Sequence, residues 1–390
     1  MTKLEQLIDE LCPYGVKYEK LDSCCALEKG KTPIQKAVAG EYPLVVTANE
    51  RKSTNTYQFE KPTVCIPLVS SRGHGVASLN QVYYQEGRFA LGNILCGVTP
   101  IDENKLSAKF LWYYLNYKKD VLIVPLMKGG ANVSLTVDSL KKVKIPIPPF
   151  PIQQEIVRIL DVFAEFLAMI SLELSERKKQ YEYYSYKLLN FENAVETQKL
   201  RELVDFRNGK GHEKDISNDG KYIVVNSKFI STNGEVKKYS NKQICPLYID
   251  DILMVMSDLP NGRALAKCFL VTEDDKYTLN QRIGAFHVKD ESVIKTRFLL
   301  YVLNRNHQLL RYDNGVDQTN LRKDDILDIM IPVPSIEEQE RIVAILDRFD
   351  TLCNDISAGL PAEIEGRRKQ YEYYRDKLLT FPESSQGATS

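Results

Sequence analysis

The chain has 390 residues, with 52 Lys+Arg against 52 Asp+Glu and four His, so its formal charge is zero. That length favours two or three domains with real cores, and 43% hydrophobic residues exclude a disordered or fibrous chain. Neutrality excludes a uniformly basic nucleic-acid wrapper but leaves room for local basic patches, and four His leave little for a histidine-rich metal centre.

The opening MTKLEQLIDEL is charged, which suits an N-terminal helix and not a secretory signal. No window of about 18 residues is apolar and uncharged. The cysteines are dispersed, with no CxxC pair, and the adjacent Cys24 and Cys25 suit neither a zinc knuckle nor a disulfide framework. The expectation is a reduced, soluble, cytoplasmic protein. In chain order, strand-like runs fall at 42–47, 63–69, 82–84, 94–98 and 143–147, then at 222–225, 252–256, 266–271, 283–288 and 329–333. Short helices are predicted over 108–117 and 296–304, with single turns at 137–140 and 323–327. The IPIP and IPVP runs at Ile145 and Ile331 must end or edge a sheet, because proline donates nothing to a ladder.

The chain is written twice. IPIPPFPIQQEIVRILD from Ile145 returns as IPVPSIEEQERIVAILD from Ile331, 186 residues later. RKKQYEYYSYKLLNF from Arg177 returns as RRKQYEYYRDKLLTF from Arg367, 190 residues later. Looser matches join LDSCCALEKGK at Leu21 to LRELVDFRNGK at Leu200, and FLWYYL at Phe110 to FLLYVL at Phe298. Units this large are no solenoid, so an internal pseudo-dimer with a pseudo-twofold axis is expected.

After Pro151 the period becomes helical. Ile152, Ile156, Ile159, Phe163, Phe166 and Ile170 step by four and three, and the stripe continues to Leu188. In the second copy, Gly359 and Pro361 predict a break near 357–361, since Pro361 would clash with the carbonyl of Ser357 in an unbroken helix. Two helices with one apolar face each are most simply buried by antiparallel pairing, although an ordinary bundle core would use the same stripes. The tyrosines 181, 183, 184, 186, 371, 373 and 374 cannot all lie on one narrow stripe, so some should face a partner protein. Charge follows the division: 1–150 carries 19 basic and 14 acidic residues and 196–335 carries 21 and 20, against 5 and 7 in 151–195 and 7 and 11 in 336–390. Basic heads on acidic spacers have the sign that bipartite nucleic-acid binding needs.

Catalytic motifs fail on inspection. Gly30-Lys31-Thr32 resembles the tail of a phosphate loop, but Cys25 stands where the loop needs its first glycine. Pro148-Pro149-Phe150 resembles the end of an amino-methyltransferase motif, but Ile147 offers nothing to hold an amine. Glu235 and Lys237 with Asp219 fit a nuclease spacing only as loosely as many charged loops do. There is no HExxH and no GxSxG. His74, His212, His287 and His307 lie far apart and read as surface or hydrogen-bonded residues, not metal ligands. The chain reads as a binder.

The two repeated helical segments, with GGANVSLTVDSLKKVKIPIP from Gly129 and GVDQTNLRKDDILDIMIPVP from Gly315, resemble the conserved regions of the specificity (S) subunit of type I restriction-modification systems. The resemblance implies an α+β fold: two strand-rich target-recognition domains separated by two long antiparallel coiled-coil helices. The domains would cover 1–150, with the N-terminal helix, and 196–335. Spacer helices would cover 151–195 and 336–381, followed by a flexible tail over 382–390. Each domain would read half of a split, asymmetric DNA site, with the helices as a ruler. The resemblance further implies no catalysis and no bound cofactor or metal in this chain. Two adenine-N6 methyltransferase subunits would bring S-adenosylmethionine, and two translocase–endonuclease subunits would use ATP and Mg²⁺. Candidate DNA contacts in the first domain are Lys29, Lys31, Asn49, Arg51, Arg72, His74, Lys128, Asn132 and Ser134. In the second they are Lys210, His212, Asn226, Lys228, Arg263, Gln281, Arg282, Gln318 and Asn320. Lys29-Gly30-Lys31 and Asn208-Gly209-Lys210 stand out, since both place a basic residue beside what reads as a flexible turn. Subunit docking is expected at Tyr181, Tyr183, Tyr184, Tyr186, Tyr371, Tyr373 and Tyr374. The alternatives are a non-catalytic coiled-coil scaffold, which leaves two basic domains unexplained, and the recognition module of a single-chain DNA methyltransferase or nuclease, for which spare length is lacking.

Overall fold

The computed structural model describes residues 3–48, 50, 52–191, 195–212, 214–260, 262–355 and 357–384. Two units divide the chain, Met1–Ser171 with Glu363–Ser390, and Leu172–Ala362. Each takes one globular part and a piece of both helical repeats.

In the first unit a four-stranded antiparallel sheet runs in the order Cys25–Lys29, Leu95–Pro100, Thr63–Pro67, Tyr83–Gln85. Thr63–Pro67 is buried at every position, which is why Val64 to Pro67 form a continuous apolar run instead of an alternation. A three-stranded sheet, Lys52–Thr54, Tyr42–Val45, Ala90–Leu91, contains one parallel pairing, Leu44 with Ala90. The second unit repeats the plan. Its four strands are Val204–Asn208, Ile283–Val288, Ile252–Val255 and Cys268–Leu270, and its three are Tyr239–Ser240, Tyr222–Val225 and Tyr277–Leu279. The proline-containing runs form two-stranded ladders, Lys17–Lys20 with Lys144–Ile147 and Thr197–Lys199 with Met330–Pro332. In a two-stranded ladder both members are edges, so proline is tolerated there.

Helix Ala108–Leu122 is capped by Ser107, whose hydroxyl accepts the Phe110 N–H, and it buries Phe110, Leu111 and Leu115. Thr296–Leu303 buries Phe298, Leu299 and Leu303 in the same way. Each such side chain contributes roughly 1.5–3 kcal/mol of hydrophobic stabilisation. Both helices are tied to the spacer repeat through an aspartate. The Tyr113 hydroxyl donates to Asp161 at 2.7 Å, with Lys109 also at 2.7 Å. The Tyr301 hydroxyl donates to Asp347 at 2.5 Å, with Arg297 beside it.

The first spacer is one helix of 40 residues, Phe150–Leu189, about 60 Å along its axis. The second is two helices of 19 residues, Ile336–Asn354 and Leu360–Leu378. Between them the Asp355 carboxylate accepts the Ser357 N–H at 2.7 Å and the Ala358 N–H at 3.2 Å, and the Ser357 bonds hold its carboxyl below the usual range. Pro361 is the second residue of the new helix, where its missing N–H costs nothing and no preceding turn exists to clash with. A Cβ on Gly359 would lie 2.2 Å from the Thr351 carbonyl oxygen, so only glycine fits the turn. Ile356 lies outside the described residues.

Within the first unit Phe163 stacks on Tyr374 at 5.4 Å and Arg367 lies 5.2 Å over Phe166. One number rises as the other falls, so this pair is antiparallel. Within the second unit Tyr181 and Tyr184 stack on Phe349 at 6.0 and 5.6 Å. The tail departs from expectation. Pro382–Ser384 is not loose: Val16 N–H donates to the Pro382 carbonyl at 2.9 Å and Ser384 N–H to that of Val16 at 3.0 Å. Residues 385–390 lie outside the described set. Among the described residues no helix is long and apolar enough to cross a membrane.

Candidate nucleic-acid interface

Sheet register decides where the candidate DNA contacts go. Lys29 stands opposite Cys96 and Pro67 opposite Leu95, so the chain leaves both strands at one end of the four-stranded sheet. Beyond Pro67 the loop is closed on a second one. Ser70 N–H donates to the Val133 carbonyl at 3.0 Å, Gly75 N–H to that of Ala131 at 3.3 Å, and Lys128 and Ser134 exchange bonds of 2.8 and 2.9 Å. This brings Arg72, His74, Lys128, Asn132 and Ser134 together, all exposed. His74 has φ 59°, in the left-handed region, between Gly73 and Gly75. Lys29 and Lys31 are exposed at the same sheet end, braced by Gln58, which donates to the Lys29 carbonyl and accepts the Lys31 N–H at 3.0 Å each. Asn49 and Arg51 lie outside the described residues.

The second unit uses the corresponding end. Asn208 stands opposite Gly284 and Val255 opposite Ile283. Lys210, Gln281 and Arg282 therefore gather there, with Gln281 N–H donating to the Lys210 carbonyl at 3.0 Å and Arg282 at φ 68°. Ser257 and Asp258 pair with Asn320 and Thr319. Gln318 donates its amide to Ser257 Oγ at 2.8 Å, and that hydroxyl donates to Asn320 Oδ1 at 2.7 Å. The loop carrying Arg263 is folded around Asp258, whose carboxylate accepts the N–H groups of Leu259, Ala264 and Leu265. Asp258 is a residue that the sequence reading missed. A lone carboxylate before Leu-Pro-Asn-Gly carries no signal until the loop is seen to close on it.

Three expectations need correction. His212 is 1% exposed, with one ring nitrogen 2.7 Å from the Lys210 carbonyl and the other 2.8 Å from Thr278 Oγ1, so it holds the fold and cannot meet DNA. Asn226 caps the helix Ser227–Ser231 by accepting the Phe229 N–H at 2.9 Å, so its side-chain oxygen is committed. Lys228 stays a candidate, exposed on that helix. The glycines of KGK and NGK are not flexible turns. A Cβ on Gly30 would lie 2.1 Å from the Gly92 carbonyl oxygen, and one on Gly209 1.8 Å from that of Asn280. Close backbone crossing, not conformational freedom, selects glycine there.

The tyrosines divide. Tyr183, Tyr186 and Tyr373 are 60%, 72% and 65% exposed, and Tyr184 and Tyr374 show one face to solvent while stacking with the other. Tyr181 and Tyr371 are instead half-buried, each packing a ring against a phenylalanine of the neighbouring helix, and burial pushes both phenols up.

Chemically, each sheet end offers guanidinium and ammonium groups suited to phosphates or guanine edges, next to amides suited to adenine. No group of three or more potential metal ligands occurs among the described residues. Comparison with known proteins follows the same lines. The type I restriction modification DNA specificity domain matches twice, over residues 13–180 and 192–366. A type I restriction enzyme specificity subunit of Escherichia coli is 35% identical over 308 residues, 73% of this chain and 74% of its own. A Haemophilus influenzae protein described as a specificity subunit of the same class is 28% identical across 97% of this chain and 98% of its own. The crystal structure of the S subunit of a type I restriction-modification system from M. genitalium superposes with a TM-score of 0.58 over 98% of this chain and 100% of that one, at 19% identity, and so shares the fold. With both repeats matched and the duplicated sheets in place, the chain belongs to the type I restriction-modification DNA specificity family.

Proposed function

We propose that this chain reads a bipartite, asymmetric DNA target, one half through each unit, and carries the catalytic subunits without catalysing anything itself. The observation that carries the reading is the pair of equivalent sheet ends, each built on the same register yet furnished with different side chains. Identical scaffolds with divergent loops are what two half-site readers require. The helical repeats would set the gap between the two half-sites. Their exposed tyrosines offer the amphipathic surface that protein partners favour. Two adenine-N6 methyltransferase subunits would dock on this duplicated scaffold and bring S-adenosylmethionine. Two translocase–endonuclease subunits would bring the ATP and Mg²⁺ chemistry. The complex would work in the cytoplasm, on the nucleoid. Methylome sequencing with and without the gene tests this. One bipartite N6-methyladenine motif should vanish on deletion, and an unchanged methylome refutes the reading, as does purified chain that methylates DNA alone.

A further inference from the structure

The second unit carries its most exposed aliphatic side chains on its sheet-end loops. Among the described residues of that unit, Val316 is 74% exposed and Leu259 67%, ahead of every other aliphatic. They come from separate stretches of the chain. Pairing of Ser257 with Asn320 and of Asp258 with Thr319 brings both loops to the same sheet end. A lone exposed aliphatic is ordinary at a protein surface. Two of them on loops joined at one ribbon, amid candidate DNA contacts, need a cause.

The backbone under both is fixed. Leu259 N–H donates to Asp258 Oδ1 at 2.9 Å, and the Leu259 carbonyl accepts the Gly262 N–H at 2.9 Å. Asp258 Oδ2 accepts the Ala264 and Leu265 N–H groups at 2.7 and 3.1 Å. In the other loop Asn314 Oδ1 accepts the Val316 and Asp317 N–H groups at 2.9 and 3.0 Å. Gly315, at φ 70°, donates its N–H to Asp313 at 2.9 Å. Loops held in this way keep both aliphatic groups at the surface, so they meet whatever the sheet end meets.

The neighbouring polar groups narrow what that is. Ser257, 6% exposed, accepts the Gln318 amide N–H at 2.8 Å and gives its hydroxyl to Asn320 Oδ1 at 2.7 Å. The remaining amide atoms are one acceptor, Gln318 Oε1, and one donor, Asn320 Nδ2. Turning the serine hydroxyl round reverses both amides together, so the pair always offers one of each. Adenine presents the matching donor and acceptor in the major groove, whereas guanine presents two acceptors. The apolar feature of that groove is the methyl group of thymine, the partner of adenine.

We propose that Leu259 and Val316 read thymine methyl groups in the half-site of the second unit, beside an adenine edge taken by the amides of Gln318 and Asn320. The inference rests on the recognition reading and adds the base chemistry that this unit senses. The first unit is furnished differently. There the bridge of Val69 to Ser134 stands where Ser257 meets Asn320, so Ser71 and Gly130 occupy the places of Leu259 and Val316. Neither presents an aliphatic group, and the Val69 side chain relays no hydrogen bond. This device is therefore confined to one half-site.

The test uses the full chain and a fluorescein-labelled duplex carrying its methylated motif, with deoxyuridine replacing one thymidine at a time. Uracil pairs as thymine does and lacks only the methyl group. Fluorescence anisotropy should show binding weakened about three- to tenfold at one or more positions of the second half-site. Leu259→Ala or Val316→Ala should weaken binding to the unmodified duplex by a similar factor. Each should also abolish the penalty of the uracil beneath the deleted side chain, as a double-mutant cycle requires. Both residues are well exposed, so both variants should fold as the parent does. Any uracil penalty in the first half-site should survive both substitutions. Indifference to every uracil in the second half-site, or a penalty there that persists in both variants, overturns the inference. A first-half penalty lost in either variant also overturns it. A parent chain that binds its motif no better than a scrambled duplex fails the recognition reading itself and takes this inference with it.

Discussion

Gln153 and Gln339 make the same three hydrogen bonds, one set in each repeat. Gln153 donates to the Pro148 and Lys105 carbonyls at 2.7 and 2.9 Å and accepts the Ser107 N–H at 2.9 Å. Gln339 donates to those of Pro334 and Val293 at 2.9 and 3.0 Å and accepts the Lys295 N–H at 2.8 Å. Both are 0% exposed, so each clamps the start of a spacer helix to the loop before a domain helix.

Gln153→Leu should therefore strand buried backbone groups, at about 1–3 kcal/mol for each one left unpaired. Hydrogen exchange should rise around residues 105–107 in that variant and around 293–295 in Gln339→Leu. Exchange that spreads evenly over the chain would contradict the clamp.

Glu155 is buried against Arg158, with Lys3 behind it, and the Arg158 bonds chiefly hold its carboxyl at about 2, below the ordinary 4.5. A carboxyl depressed on folding stabilises the chain fully above its unfolded value. That contribution is lost as pH falls from about 4.5 towards about 2. The denaturation midpoint of Glu155→Gln should lie below the parent's at neutral pH, and the difference should close towards about pH 2. A difference that stays constant across this range would show that packing, not charge, is what the substitution removes.

Much of this was legible in the sequence because it is written twice. PIQQ from Pro151 and EEQE from Glu337 share the glutamine, and FLWYYL and FLLYVL share the tyrosines whose hydroxyls reach Asp161 and Asp347. The central strands were legible as apolar runs. The edge strands Cys25–Lys29 and Val204–Asn208 were not, since each buries only its first residue. His212 misled for a related reason. A histidine after Gly-Lys-Gly looks like loop chemistry, and only the bridge from Lys210 to Asn280 draws it inside.

Arg263→Gln and Lys210→Gln should weaken binding to duplex DNA of any sequence. Each should reduce the slope of log affinity against log salt by about one if its side chain meets a phosphate. His212→Ala should instead lower stability by about 1–3 kcal/mol and leave that slope unchanged. Salt titrations by fluorescence anisotropy distinguish them, and a slope change for His212→Ala would contradict its placement inside the fold.

Inserting one helical turn into the long helix and one into its antiparallel partner should lengthen the spacer by about 5.4 Å. At 3.4 Å per base pair the gap between half-sites should change by about one or two base pairs. The methylated motif of the folded variant reads this directly, and an unchanged gap refutes the ruler.

The most direct measurement is the methylome of a strain whose chain carries a foreign first globular part, from about residue 20 to about 145, on its own spacer helices. Two independent readers predict a hybrid motif, with one half-site exchanged and the other retained at the parental gap. A soluble, assembled chimera whose motif keeps neither parental half, or changes both together, would contradict the account.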